Sequence, residues 1–302
     1  MKCITLFKLL FICTCLMSSC SLFQKPTTIW IDLSDCSPQQ QKEAHQVIID
    51  RIKAVYKVKD FTVPEENSFL VTYYPKKKLE ILPDLLEKKG EVIIYESYST
   101  DEVSAWIENK FTPKNETDSL FVQFIIGAEE KYYSKQSPLI GMVQESKVAH
   151  IDSLLSREDI KKLFPADASF FWAQEESFFD ETLYGLIAVR KSNFLPLNKE
   201  TVKKAKVQKS QYSSYLELFI ELHPESRQKW ADFTLKNIDR CLPIVCNGNV
   251  VSYPKVMSEI TGGKLTIAGK FTTEEIHTMF GFIKSDVLNC PASIFNPIQK
   301  DK

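Results

Sequence analysis

The dipeptide Asn247-Gly248 constrains the fold of this chain more than any other feature of its sequence. It lies between two apolar runs, residues 241–246 and residues 250–252. Asparagine followed by glycine is the preferred pair for a type I′ turn, in which both residues take positive φ angles and the flanking strands fold back on each other. The sequence therefore predicts an antiparallel hairpin here.

Helix and strand signals alternate around this hairpin. The predicted elements are strands at residues 212–222 and 264–268 and helices at residues 224–237 and 272–283. Pro224 suits the first position of its helix, and Thr272 with Glu275 forms a capping box at the start of the next one. The C-terminal third therefore predicts helices packed on antiparallel strands.

The N-terminal part of the sequence predicts the order β-α-β-β-α-β. The strands are at residues 29–33, 61–63, 69–74 and 92–95, and the helices are at residues 38–55 and 79–87. Ser37 and Gln40 form a capping box, Pro83 marks a kink or restart, and Gly90 is expected at the C′ position. This order is that of the ferredoxin-like split motif, so the predicted fold class is α+β.

The middle of the chain gives weaker signals. We predict a helix at residues 101–111, a loop at 113–119, and strands at 120–126, 139–143, 168–172 and 183–190. Ser156 is expected to cap a short helix that ends near Leu163. The polar loop is the best internal boundary, because Pro, Asn, Thr and Ser cluster there.

The first 20 residues have the layout of a secretory signal. A basic start is followed by an apolar run at residues 9–17, about half of the roughly 20 residues that a membrane-spanning helix needs. Leu16-Met17-Ser18-Ser19-Cys20 also resembles the bacterial lipobox, in which the cysteine is acylated. We expect a signal peptide over residues 1–19, a lipid on Cys20 and a tether over residues 20–27, with plain secretion or an uncleaved anchor as alternatives.

This N-terminus predicts a body outside the cytoplasm, held at the cell membrane or the outer membrane. The net charge is −1, which gives no long-range attraction to nucleic acid. Four cysteines remain beyond the lipid site: Cys36, Cys241, Cys246 and Cys290. Three pairings are open to them, and we favour buried free thiols over bridges. Cys241 and Cys246 are five positions apart on a predicted strand and face opposite sides, so they are not expected to bond each other.

Catalytic signals are absent from the sequence. His277 has no second histidine four positions on, and no G-x-S-x-G motif is present. The glycines at Gly263 and Gly269 are one residue too far apart for a phosphate loop, and Phe271 stands where Ser or Thr would bind magnesium. We expect no catalytic residues, no metal site, no cofactor and no enzyme activity.

Aromatic residues cluster in one region of the middle segment. They are Phe170, Phe171, Trp172, Phe178 and Phe179. Core packing is the simpler explanation for such a cluster, and a groove for apolar peptide segments is the alternative. We take the five as candidate peptide contacts.

A long ordered set of segments in the C-terminal third follows one spacing pattern. In chain order the segments are LHPES at 222–226, WADFT at 230–234, Asn237-Ile238, IVCNGNVVSYP at 244–254, ITGG at 260–263, IAGKFT at 267–272 and Glu274-Glu275. This set resembles the head subdomain in the first periplasmic loop of SecD, a subunit of the protein translocase. The resemblance assigns structural turn and hairpin positions to Asn247, Gly248, Pro254, Thr261, Gly262, Gly263, Gly269, Phe271 and Glu275.

Two earlier segments resemble the base subdomain of the same family. They are IDRI at 49–52 and VTYYP at 71–75. The resemblance implies a base-like subdomain at 28–112, a linking insertion at 113–195, a head-like subdomain at 196–290 and a tail at 291–302.

The resemblance implies a role beside the translocase. SecD proteins carry a transmembrane bundle that powers the head, and the present sequence shows a lipid signal and no bundle residues. We therefore expect a passive binder of unfolded or secretory polypeptides that is accessory to the Sec translocon. The alternatives are a structural or assembly lipoprotein with one folded partner and a hydrolase with a scattered site.

Overall fold

A computed structural model describes residues 25–65, 67–76, 79–126, 137–178 and 181–295. The predicted signal peptide, the lipid site at Cys20 and the aromatic Phe179 lie outside these residues. So do parts of the predicted tether and tail. Within the described residues, no helix has the length and apolar character that a membrane crossing requires.

The N-terminal elements follow the predicted order. They are β1 (Thr27–Asp32), α1 (Pro38–Val55), β2 (Lys57–Glu65), β3 (Ser68–Tyr74), α2 (Leu82–Glu87) and β4 (Val92–Ser97). The capping box of Ser37 and Gln40 at the start of α1 is confirmed. Pro83 lies in the first turn of α2, where its missing N–H costs nothing, so the helix begins there and is not kinked. The C-cap of α2 is Lys88, so Gly90 lies at C″ and not at C′ as predicted.

The base sheet departs from the predicted motif in its fourth strand. The sheet order is β13-β1-β3-β2, with β13 formed by Ser293–Phe295 at the other end of the chain. β13 pairs antiparallel with β1, so that Trp30 lies opposite Phe295. β4 belongs to the six-stranded sheet instead. The alternation of apolar residues predicts that a segment is a strand, but it does not predict which strand it pairs with. The α+β class is confirmed.

The middle segment contains more helix than the sequence predicted. Its elements are α3 (Thr100–Lys110), α4 (Glu116–Ile126), β5 (Leu139–Gln144), α5 (Glu145–Leu155), α6 (Glu158–Lys161), β6 (Ala168–Phe178) and β7 (Glu181–Pro196). The strand predicted at residues 120–126 is wrong, because that run is the second half of α4. Asn115 Oδ1 accepts a hydrogen bond from the Asp118 N–H, and this turn starts the helix inside the predicted loop.

The predicted cap of the short helix is also wrong. Ser156 ends α5, an unpredicted helix, and Arg157 is the N-cap of α6. Ser156 Oγ donates a hydrogen bond back to the Asp152 carbonyl 2.8 Å away. Serine fits a helix end as well as a helix start, so the residue type alone did not decide its position.

The C-terminal elements match the prediction closely and add one strand. They are β8 (Val202–Lys209), β9 (Leu216–Leu222), α7 (Pro224–Lys236), β10 (Ile244–Cys246), β11 (Asn249–Ser252), β12 (Lys264–Ile267) and α8 (Thr273–Ile283). β9 begins four residues later than expected, and β8 was not predicted. The three strands β12, β9 and β8 form one antiparallel sheet in that order.

The largest sheet closes on itself. Its strand order is β4-β10-β11-β6-β7-β5, and an additional pairing joins β4 to β7. The five strands β4, β10, β11, β6 and β7 therefore form a closed ring. β5 lies outside the ring and pairs with residues 183–187 in the first half of β7. Side chains at the centre of this ring form an apolar cluster that includes Tyr95, Ile187, Val189, Val245 and Val250.

The main apolar core joins the base-like and head-like parts. It contains Ile48 and Leu85 from the first part of the chain and Ile220 and Phe282 from the last. The middle segment has its own cluster, which includes Tyr98, Phe121 and Leu186. The residue boundaries given above for the subdomains stay predictions.

A disulfide joins the two ends of the described chain. Cys36 and Cys290 are bonded, and their Cα atoms lie 5.8 Å apart. The preference for four free thiols is therefore wrong for this pair, whose partners are 254 positions apart and could not be matched by spacing. Cys241 and Cys246 are free.

Candidate functional site

An open groove lies beside the first residues of β6. Its volume is about 470 Å³. Leu155, Phe164 and Phe170 supply apolar surface, and Asp152, Ser156 and Lys161 supply polar atoms. The volume falls within the range of about 300–1,000 Å³ typical of ligand pockets.

The apolar wall of the groove is continuous with the core of the middle segment. Ile151 and Leu154 are buried and hold α5 against the sheet, which leaves Leu155 at the groove. Phe164 packs edge-on against Phe170, with ring centroids 4.8 Å apart. Trp106 from α3 packs edge-on against Phe164 from behind, at 6.0 Å. The groove wall is therefore held in place by the core of the middle segment.

The polar atoms at the groove are arranged by hydrogen bonds. Trp172 Nε1 donates to Asp152 Oδ1 across 2.8 Å, which ties β6 to α5. Lys161 Nζ lies 2.9 Å from Glu158 Oε1, one helical turn away. The groove thus carries a carboxylate and an ammonium group beside its apolar wall.

The predicted aromatic cluster is divided between two faces of β6. Phe170 and Trp172 pack on the core of the middle segment, whereas Phe171 points to the ring interior and stacks on Tyr95 at 5.8 Å. Alternation along a strand causes this division. Phe178 ends β6, but its side chain, like all of Phe179, lies outside the described residues. Of the three candidates whose side chains the structure describes, only Phe170 lines the groove.

The predicted turn at Asn247-Gly248 is confirmed. Its residues have φ angles of 48° and 82°. Asn247 has a further role that sequence reasoning missed, because its Oδ1 accepts hydrogen bonds from the N–H groups of Gly90 at 2.7 Å and Glu91 at 3.3 Å. The hairpin turn of the head-like part is thereby bonded to the base-like part between α2 and β4.

The other predicted turn residues hold the head-like part together and do not form a cavity. Thr272 and Glu275 form the predicted capping box of α8. Gly263 has a φ angle of 61°, and a side chain there would collide with Arg227. Phe271 packs against the main core, and the Pro254 carbonyl accepts a bond from the Leu242 N–H. Thr261, Gly262 and Gly269 are exposed.

Arg51 is the most unusual buried group, and sequence reasoning did not select it. Its side chain is 0% exposed. Nε donates to Ser285 Oγ, and the two terminal nitrogens donate to four carbonyls, those of Leu85, Lys88, Lys89 and Asp286. Burial lowers the pKa of the guanidinium to about 10. Its position on the apolar face of α1 was the available signal.

A second polar network joins the middle segment to the C-terminal part. Arg190 lies 2.9 Å from Glu96 and 2.8 Å from Glu102, and its guanidinium covers the Tyr98 ring at 3.8 Å. Arg240 reaches the same Glu102 at 3.0 Å. Two cations therefore share one carboxylate in the first turn of α3, and this network fixes the orientation of the groove segment relative to the rest.

Nucleophilic chemistry finds no support among the described residues. His277 Nδ1 bonds to the Thr273 carbonyl, and His45 Nε2 is buried without a partner. Burial raises the pKa of the Cys246 thiol to about 12, which disfavours the reactive thiolate.

Comparison with known proteins identifies the C-terminal part. Residues 184–289 match the family model of the SecDF P1 head subdomain. The protein translocase subunit SecD of Rhodothermus marinus is 26% identical over 162 residues, which cover 53% of this chain and 26% of that protein. The SecD of Dictyoglomus turgidum is 32% identical over 98 residues, which cover 32% of this chain and 24% of that protein.

Solved structures of SecDF are also similar to this chain. The crystal structure of SecDF in the super-membrane-facing form gives a TM-score of 0.45 at 13% identity, over 90% of this chain and 30% of that one. The chain spans about a quarter of the length of the two SecD proteins named above. The match of residues 184–289 to the SecDF P1 head subdomain confirms the resemblance that was inferred from the sequence motifs.

Proposed function

We propose that this protein is a lipid-anchored component of the cell envelope that binds polypeptide segments passively, as an accessory to Sec-dependent protein translocation. The observation that carries the proposal is the match of residues 184–289 to the SecDF P1 head subdomain. Two relatives of this chain are named as subunits of a protein translocase, whose substrates are polypeptide chains.

The groove beside β6 supplies the binding surface in this proposal. Unfolded polypeptides expose apolar side chains, and Leu155, Phe164 and Phe170 offer apolar surface of matching character. The middle segment that carries the groove is anchored to the rest of the chain by the ion pairs of Arg190 with Glu96 and of Arg240 with Glu102. A segment held in the groove is thereby connected to the head-like part.

The N-terminus supplies the anchor in this proposal. The sequence of residues 16–20 resembles a lipobox, and acylation of Cys20 would attach the body to the outer side of a membrane. Two or more acyl chains hold a protein stably, because each buried CH₂ contributes about 0.8 kcal/mol. Mass spectrometry of the chain isolated from membranes tests this part. A Cys20→Ala variant should remain unacylated and unprocessed, and an unacylated wild-type N-terminus would contradict the anchor.

Photo-crosslinking in living cells tests the binding function. A photoreactive amino acid at Leu155 or Phe164 should trap many different secretory polypeptides and translocon subunits. The matched control places the same amino acid at Tyr212, which is 95% exposed and does not line the groove. Capture of one folded envelope protein at every position would contradict the proposal and favour a structural lipoprotein.

Delayed aggregation of a client gives an independent test in solution. The purified full chain should slow the aggregation of an unfolded secretory protein after dilution from urea. Light scattering at increasing ratios of chain to client measures the effect. Identical aggregation curves with and without the chain would contradict polypeptide binding.

A further inference from the structure

We propose that an extended polypeptide binds by adding a strand to the open edge of β6 at Ala168–Phe170, with an apolar side chain in the groove and an acidic residue next to Lys161. This inference deepens the proposed function and rests on it. It specifies the form of the bound segment, the backbone atoms that hold it and the side chains that it prefers.

The register of β6 against β7 shows which backbone groups are available. The Lys191 N–H donates to the Asp167 carbonyl across 2.8 Å, just before the ladder in which Ala168 lies opposite Arg190. Hydrogen-bonded and non-bonded pairs alternate along an antiparallel ladder. Ser169 and Phe171 therefore bond to β7, whereas the N–H and C=O groups of Ala168 and Phe170 point to the opposite edge.

That opposite edge is covered over only part of its length. β11 pairs with β6 at Trp172 and Ala173, and no other strand pairs with this edge in the described part of the chain. The Ala168 N–H is already bonded to the Pro165 carbonyl. The Ala168 carbonyl and the N–H and C=O groups of Phe170 have no backbone partner within the described residues. Strand addition uses free backbone groups of this kind on a sheet edge.

The groove lies along this same edge. Ala168, Ser169 and Phe170 all line it, although neighbouring strand residues point to opposite faces. A groove lined by three consecutive strand residues reaches the backbone of the strand as well as the side chains on one face. An extended chain in the groove is therefore placed for main-chain hydrogen bonds to β6.

The side chains at the groove favour a particular kind of segment. Leu155, Phe164 and Phe170 accept an apolar side chain. Lys161 lines the groove, and its ion pair with Glu158 is solvent-exposed and therefore weak, so its ammonium group can also meet a ligand. The carboxylate of Asp152 in the same lining accepts a hydrogen bond from Trp172, and the neighbouring Lys162 is exposed and makes no ion pair within the described residues. This positive charge complements a carboxylate, so an extended segment of alternating apolar residues with an adjacent Asp or Glu fits best.

Backbone N-methylation tests strand addition directly. The probe is a fluorescein-labelled octapeptide of alternating Thr and Val residues with Glu-Leu as its two central residues. Fluorescence anisotropy measures its binding to the purified full chain. N-methyl groups on alternate residues block one edge of the peptide and leave its side chains unchanged. We expect methylation of one edge to weaken binding at least tenfold and methylation of the other edge to change it less than twofold. Equal affinity for all three peptides would overturn strand addition.

Variants of the chain test the side-chain contacts. Phe170→Ala should weaken binding of the parent peptide at least tenfold, and the exposed Phe194→Ala is the matched control that should not. The wild type should bind the parent peptide more tightly than a peptide in which Lys replaces the central Glu. Lys161→Glu should reverse this preference, whereas Lys204→Glu on β8 should keep it. Circular dichroism checks the fold of each variant, and the N-methyl comparison does not depend on any variant.

The two proposals fail in different ways. If unfolded clients bind but the methylated peptides behave alike, strand addition is wrong and the proposed function stands. If neither clients nor peptides bind, both are wrong. Peptide binding that survives both Phe170→Ala and Lys161→Glu would move the site away from β6 and overturn the present inference.

Discussion

Arg51 Nε donates a hydrogen bond to Ser285 Oγ across 3.1 Å and so joins two residues 234 positions apart. The remaining donors of the same guanidinium bond to carbonyls in and just after the last turn of α2 and to one carbonyl after α8. The last carbonyls of a helix have no partner within it and carry partial negative charge. One cation therefore satisfies the C-terminal end of α2 in the base-like part and joins it to the segment that follows α8 in the head-like part.

Replacing Arg51 should destabilise the whole chain. Arg51→Met leaves several buried carbonyls without donors, and each unsatisfied group costs about 1–3 kcal/mol. We expect the free energy of unfolding to fall by at least about 3 kcal/mol, measured by urea denaturation. Lys53→Met removes an exposed cation from the same helix and should change stability by less than about 0.5 kcal/mol. Similar losses in both variants would show that Arg51 has no special role.

Gly90 should not tolerate a side chain. Its φ angle is +79°, and a Cβ atom there would collide with the Arg51 guanidinium. Gly248 has a similar φ angle of +82° but open space around it, so Gly248→Ala carries only the backbone cost of about 1–2 kcal/mol. Gly90→Ala should lose clearly more in urea denaturation. Equal losses would mean that the space beside Arg51 is not needed.

Reduction of the disulfide should weaken the base sheet. Cys36 and Cys290 hold the segment that leads into β13, and removal of a native disulfide commonly costs about 2–5 kcal/mol. A thiol reductant should lower the midpoint of thermal unfolding of the wild type. The double variant Cys36→Ser with Cys290→Ser should already have the lower midpoint and ignore the reductant. Cys241→Ser is the control for a free cysteine, and it should keep the wild-type response.

Acid should release the network around Glu102. Burial alone would raise the pKa of this carboxyl group, but the Ser99 N–H and the guanidiniums of Arg240 and Arg190 together hold it below its ordinary value. A lowered pKa in the folded state means that the stabilisation is present above the unfolded pKa of about 4.3 and is lost as the pH falls through the folded value.

The variant Glu102→Gln isolates this contribution. It should be less stable than the wild type at pH 7, and the difference should shrink as the pH drops below about 4.3. Urea denaturation at a series of pH values measures it. Glu108→Gln on the same helix is the control, because that side chain is exposed and makes no ion pair within the described residues. A difference that stays constant down to pH 3 would contradict a role for the Glu102 charge.

Sequence patterns predicted the structure correctly where the stabilising contacts lie between residues that are close together in the chain. The turn at Asn247-Gly248 and the capping box of Thr272 and Glu275 depend on neighbours within a few residues, and both are confirmed. Residues 120–126 show the limit of this reasoning. Their apolar character and short length suggested a strand, but burial of Phe121 in the core of the middle segment stabilises a helix instead.

The candidate groove could be anticipated only in part. Phe170 was selected from the sequence, because aromatic clusters are common in binding sites. Its separation from Phe171 follows from strand alternation once β6 is known. Phe164 and Leu155 reach the groove only through the packing of α5 and α6 on the sheet, and no short-range pattern in the sequence encodes that contact.

The amino-acid sequence by itself determined most of the elements, their order and the likeness to the SecD head, because caps, turns and periodicity act over a few residues. Tertiary structure alone decided that β13 takes the place expected for β4, that Cys36 bonds to Cys290, and that the edge of β6 stays open beside an apolar groove. Each of these depends on contacts between segments distant in sequence. Such contacts are selected by the packing of the whole core and not by any local pattern.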